Sequence, residues 1–146
     1  MKNKSIFLII AIIIALSGYL FYDYMKYNKE IPGRVIFSDS LEIDSISLLK
    51  DNEALPEIEL TETQSKEILE NLQKIHYINK RDSNTSSKSR YYTLSAKYGE
   101  TIYLISLSDK YNLEFHESHP NDKSNIYIMN EEESQELFNL LNRLFE

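Results

Sequence analysis

The chain has 146 residues, 16 Lys+Arg against 23 Asp+Glu, a formal net charge of −7 and no cysteine. This length suits one compact domain, and the missing thiols exclude disulfides, thiolate metal sites and a cysteine nucleophile. The acidic balance supplies no basic face for phosphates, so nucleic acid is not an expected partner.

Residues 1–5 form a short basic start carrying Lys2 and Lys4. Ile6 to Tyr22 then runs without a charge, and its 17 residues would make a helix of about 25 Å, at the short end of a bilayer span. Tyr19, Phe21, Tyr22, Tyr24 and Tyr27 crowd its C-terminal end, where amphipathic rings favour the headgroup layer. The predicted layout is an anchor or uncleaved signal over 6–22 and a juxtamembrane linker over 23–30. A domain over 31–146 follows. An alternative is a signal peptide cleaved after Ser17, because Ala15 and Ser17 are the small residues a signal peptidase reads. Positive charges nearly tie across the span, with Lys2 and Lys4 before it and Lys26, Lys29 and Arg34 after it. The signal-like order breaks the tie toward a single-pass protein of the cell membrane with its C-terminal domain outside.

Once the four lysines and two acids before Ile31 are set aside, 12 basic and 21 acidic residues remain, a net charge of −9. Arg34–Phe37 and Leu41–Leu49 read as strands. In the second, the apolar phase passes from Leu41 and Ile43 to Ile46 and Leu48, which predicts a bulge near Asp44-Ser45. Thr61-Glu62-Thr63-Gln64 has the spacing of a capping box, and Ile68, Leu69, Leu72 and Ile75 then share one helical face. Asn79 to Arg90, rich in Ser and Asn and locally basic, reads as a loop.

Tyr92, Leu94, Ala96 and Tyr98 alternate with polar residues up to Gly99-Glu100, a two-residue turn with Gly first, as a type II′ hairpin requires. Pairing across it sets Ala96 on Tyr103, Leu94 on Ile105 and Tyr92 on Leu107, with the apolar sets on one face. A three-residue loop, Asp109 to Tyr111, keeps that face by pairing Leu107 with Leu113 and Ile105 with Phe115. Ile126–Met129 is a short strand. Asn130 can cap a last helix that opens with three glutamates and carries Leu137, Leu140, Leu141 and Leu144 on one stripe. The order β-β-α-β-β-β-β-α predicts an α+β fold, a mainly antiparallel sheet with two helices on one face.

Catalytic signatures are missing: no Gly-x-Ser-x-Gly elbow, no phosphate-binding glycine loop and no His-Glu-x-x-His. His116 and His119, beside Glu114, Glu117 and Asp122, have ligand types that suit zinc, the basis of an alternative reading as a metal-binding protein or small hydrolase. On a strand, residues three apart diverge, and a polar strand end entering a turn explains the same residues. Tyr91, on the face opposite Leu94, is the candidate surface aromatic for an interface. Lys80, Arg81, Lys88 and Arg90 form a basic loop able to touch anionic lipid or wall polymer, or simply to be solvated. No cofactor is expected.

A basic start, one short anchor and a small acidic domain resemble, in layout, uncharacterised membrane-anchored α+β proteins of Gram-positive bacteria. That resemblance spans the chain as architecture and carries no site residue with it. The expected function is a membrane-tethered extracytoplasmic binding or regulatory domain, of which an immunity or inhibitor role is one version, and not an enzyme. Its partners would be the membrane through residues 6–22 and an envelope protein or wall polymer.

Overall fold

The apolar start of the chain is helical in the computed structural model, which describes residues 2–51, 53–80, 91–117 and 124–146, with 2–8 as backbone alone. Helix α1 spans Lys2–Asn28. Residues 23–28, expected in a linker, continue it. Strand β1 (Glu30–Pro32) follows at once, then a single helical turn α2 (Gly33–Ile36) and strand β2 (Glu42–Lys50).

Helix α2 replaces the strand expected over Arg34–Phe37. Period-2 alternation would have buried Val35 beside Phe37, yet Val35 is 73% exposed and Phe37 is fully buried. A helical turn puts Gly33, Ile36 and Phe37 inward together, so packing overrides the β-propensity of Val and Ile. Strand β2 carries its bulge between Ile43 and Ser45, where expected, and Ile43, Ile46 and Leu48 all reach the core.

Two short segments, β3 (Glu53–Ala54) and β4 (Ile58–Glu59), line the outer side of β2. The amides of Leu55 and Leu60 donate to the Leu48 and Asp44 carbonyls at 2.8 and 2.9 Å. Pro56 and three glutamates in this stretch leave it a poor template for a further strand. Helix α3 (Glu62–Lys74) starts with the predicted reciprocal box: Thr61 Oγ1 accepts from the Gln64 amide, and Gln64 reaches back to the Thr61 amide at 2.9 Å. Strand β5 (His76–Asn79) leaves it directly.

The β6 (Tyr91–Tyr98) to β7 (Thr101–Ser108) hairpin has the expected register from Tyr92–Leu107 to Tyr98–Thr101. Gly99 has φ +61 and Glu100 no positive φ, as a type II′ turn demands. Strand β8 (Asn112–Glu117) pairs Leu113 with Leu107 and Phe115 with Ile105, so the odd loop length is also borne out. Strand β9 (Ser124–Met129) leads into α4 (Glu131–Arg143), where Asn130 Oδ1 accepts from the Glu133 amide at 3.2 Å.

Among the described residues all pairings are antiparallel, and one nine-stranded sheet runs in the order β1-β5-β9-β8-β7-β6-β2-β3, with β4 also on β2. The helices α2, α3 and α4 cover one face of it. Leu94, Ile105, Leu107, Leu113 and Tyr77 from the sheet meet Ile68, Leu72, Leu137 and Leu141 in one core. The fold is therefore α+β, as the alternation implied.

Gly33 is the tightest point. A Cβ there would lie 2.2 Å from the Leu72 carbonyl oxygen and 2.9 Å from Gln73 backbone atoms. Gly33→Ala should destabilise the folded domain by on the order of 3 kcal/mol, seen as a lower urea midpoint for the full chain in detergent. An unchanged midpoint would show that the joint can open without cost.

Candidate functional site

The sequence Ile9–Asn28 within α1 is long and apolar enough to cross a membrane, and none of it is buried against the rest of the chain. The Lys29 amide closes its last turn on the Met25 carbonyl at 3.2 Å, and Asn79 Nδ2 at the end of β5 donates to the Lys26 carbonyl at 3.1 Å. Lys26 Nζ lies 5.1 Å from the Tyr27 ring centroid, a cation–π contact at the tyrosine-rich end. The apolar helix is thus hydrogen-bonded to the sheet rather than trailing from it.

A groove of about 1170 Å³ opens where the start of β2, the β4 segment and the first turn of α3 meet. Six carboxylates, those of Asp39, Glu42, Asp44, Glu57, Glu59 and Glu62, face two ammonium groups there. Several are engaged within the protein. Lys66 Nζ bonds Glu62 at 2.8 Å, Lys97 Nζ bonds Asp44 at 2.6 Å, Gln73 Nε2 donates to Asp39 at 2.9 Å, and the buried Ser45 hydroxyl donates to Glu57. The hydrogen bond from Lys66 holds the Glu62 carboxyl below its usual range, the reverse of what a general acid at neutral pH needs.

A second pocket, of about 300 Å³, lies between the β7–β8 loop and α4. Tyr92, Tyr111 and Phe138 supply its aromatic side, and Gln135, Asn139 and Asn142 project from one face of α4. The Tyr92 hydroxyl donates to Asn142 Oδ1, and Ser108 Oγ, itself buried, accepts from the Lys110 and Asn112 amides and so braces the loop.

Comparison with protein-family models, curated proteins and solved structures finds no match. The residues themselves must carry the reading.

Of the residues singled out by sequence, Lys80 is half-buried and donates to Asn112 Oδ1 at 2.9 Å, across the sheet face away from the helices. Tyr91 stands half-buried on that same face, between Leu49 and Ser108. His116 is there too, opposite Leu104 on one side and Ser124 on the other. Arg81, Lys88, Arg90 and His119 lie outside the described residues, as does most of the Asn79 to Arg90 loop. Among the described residues no group of three His, Asp or Glu side chains has the geometry of a metal site.

One polar clamp was not foreseen. Glu133, in the first turn of α4, accepts from the His76 amide at 2.6 Å and sits 3.0 Å from His76 Nδ1. The only hint was a histidine at the close of one helix and three glutamates opening another; their meeting is tertiary. The His76 amide holds the Glu133 carboxyl below its usual range, with partial burial opposing and the imidazole adding to it. A depressed carboxylate pKa stabilises the fold above the unfolded-chain value and loses that contribution as pH falls through the folded value. Glu133→Gln should therefore lower the unfolding midpoint at pH 7, and the gap should close below the carboxylate range. A gap independent of pH would mean that shape, not charge, holds the clamp.

Proposed function

We propose that the chain is a single-pass, membrane-tethered extracytoplasmic domain that works by binding, as a partner or regulatory module at the cell envelope. Immunity against, or inhibition of, another envelope protein is one form of such a role. The observation that carries the reading is the unburied apolar helix Ile9–Asn28, joined to a folded domain by the hydrogen bond from Asn79 to Lys26. A helix with no protein to cover its sides needs lipid to do so. The two lysines before it and the signal-like order support an outside domain, and the partner is an envelope protein or wall polymer met within reach of the membrane.

The native chain has no cysteine, so one introduced thiol reports on topology. Glu136 is exposed on α4, and Glu136→Cys should sediment with membranes and react with a membrane-impermeant maleimide in intact cells. Labelling only after lysis would place the domain in the cytoplasm and end the envelope reading. A shorter chain released to the medium would instead indicate cleavage after Ser17.

A further inference from the structure

The pocket between the β7–β8 loop and α4 combines a strained backbone with an aromatic wall and an amide rim. Tyr111 has φ +58 and closes the Ser108–Tyr111 turn with a 3.0 Å bond from its amide to the Ser108 carbonyl. A three-residue hairpin loop needs a left-handed residue at this point, usually Gly or Asn. A bulky aromatic residue there costs about 1–2 kcal/mol. What the chain obtains is the placement of one ring: Tyr111 meets Phe138 edge-on, with centroids 5.8 Å apart and planes at 82°. Burial, and then the nearby Glu131 carboxylate on α4, push the Tyr111 hydroxyl pKa up.

The rim is amide. Gln135, Asn139 and Asn142 recur at four- and three-residue steps on one face of α4. Among the described residues the side-chain carboxamides of Gln135 and Asn139, and the Nδ2 group of Asn142, have no protein partner. Asp109 contributes a carboxylate, and among the described residues no Lys or Arg lines the pocket.

We propose that this pocket binds a neutral hydroxylated ring, a pyranose unit of a glycan. The alternatives conflict with its lining. Phosphate or carboxylate ligands would face Asp109 with no cation among the described lining residues to pair them. A wholly apolar ligand would bury the carboxamides without hydrogen bonds. A quaternary ammonium needs several ring faces turned inward, and Tyr92 is only 1% exposed. A sugar satisfies both halves: its C–H groups meet the aromatic wall of Tyr111 and Phe138, and its hydroxyls exchange hydrogen bonds with the carboxamides and Asp109. The volume is at the lower end of small-ligand sites. This names the ligand class for the binding role proposed above and rests on that reading for its setting, although the pocket itself lies wholly within the folded domain.

The test uses the full chain in micelles of a polyoxyethylene detergent, which carries neither sugar nor ammonium groups. Saturation-transfer NMR with methyl glucopyranoside and N-acetylglucosamine should show transfer to ring protons, and glucuronate and choline should show little. Asn139→Ala, on an exposed helix face, should weaken sugar binding about tenfold, the equivalent of one hydrogen bond. Tyr111→Gly should abolish it with the far-ultraviolet dichroism unchanged. No transfer to either neutral sugar would overturn the proposal, as would equal binding by Asn139→Ala or a preference for glucuronate or choline. Its failure would leave the maleimide result standing, and sugar binding by a cytoplasmically placed domain would overturn the topology alone.

Discussion

Backbone packed on backbone at Gly33 sets the arrangement of everything before and after it. The Gly33 amide donates to the Ile75 carbonyl at 2.9 Å, and its α-carbon sits against Leu72 and Gln73 at the end of α3. Only a residue without a Cβ lets the two segments approach so closely. With that contact made, β1 pairs with β5, Phe37 turns into the core, and α1 is left as a direct extension of the sheet's edge. The apolar helix and the acidic domain, opposite in composition, are thereby joined without a spacer.

From this joint the sheet spreads with its helices on one side only. The covered face holds an apolar core, whereas the other mixes Ser, Thr, Asn and Glu with exposed Leu49, Ile102, Leu104 and Ile128. Such scattered apolar residues are ordinary on an antiparallel sheet. Both edges are blunted, one by the three-residue β1 with its Pro32, the other by the bent, acidic segment carrying β3 and β4. Concavities consequently form at the rims, where loops and helix ends overhang the sheet: the acidic groove beside α3 and the aromatic, amide-lined pocket beside α4.

Local chemistry was legible in the sequence. The Thr61–Gln64 box, the Asn130 cap, the Gly99-Glu100 turn, the bulge after Ile43 and the odd loop before Asn112 each rest on neighbours in the chain, and each is present. The misreading of Arg34–Phe37 has the opposite origin. Four residues of β-type sequence became a helical turn because Gly33 must dock on α3, a demand that no local pattern states. Strands β3, β4 and β5 are too short and polar to show alternation and exist because β2 and β9 offer them partners. The pocket follows the same division. The length of the loop ending at Tyr111 was legible, but the amides facing it come from α4, and only the folded chain brings them together.

Through the Gly33 joint the chain that leaves α1 is locked onto α3 and β5. Amide hydrogen exchange on the full chain in lipid nanodiscs tests it most directly. The Gly33 amide, bonded to Ile75, should exchange as slowly as the β6 and β7 core amides, opening only with the whole domain. Exchange at the rate of an open loop, with the β6 and β7 amides still protected, would contradict the claim and leave the helix a loosely attached tether.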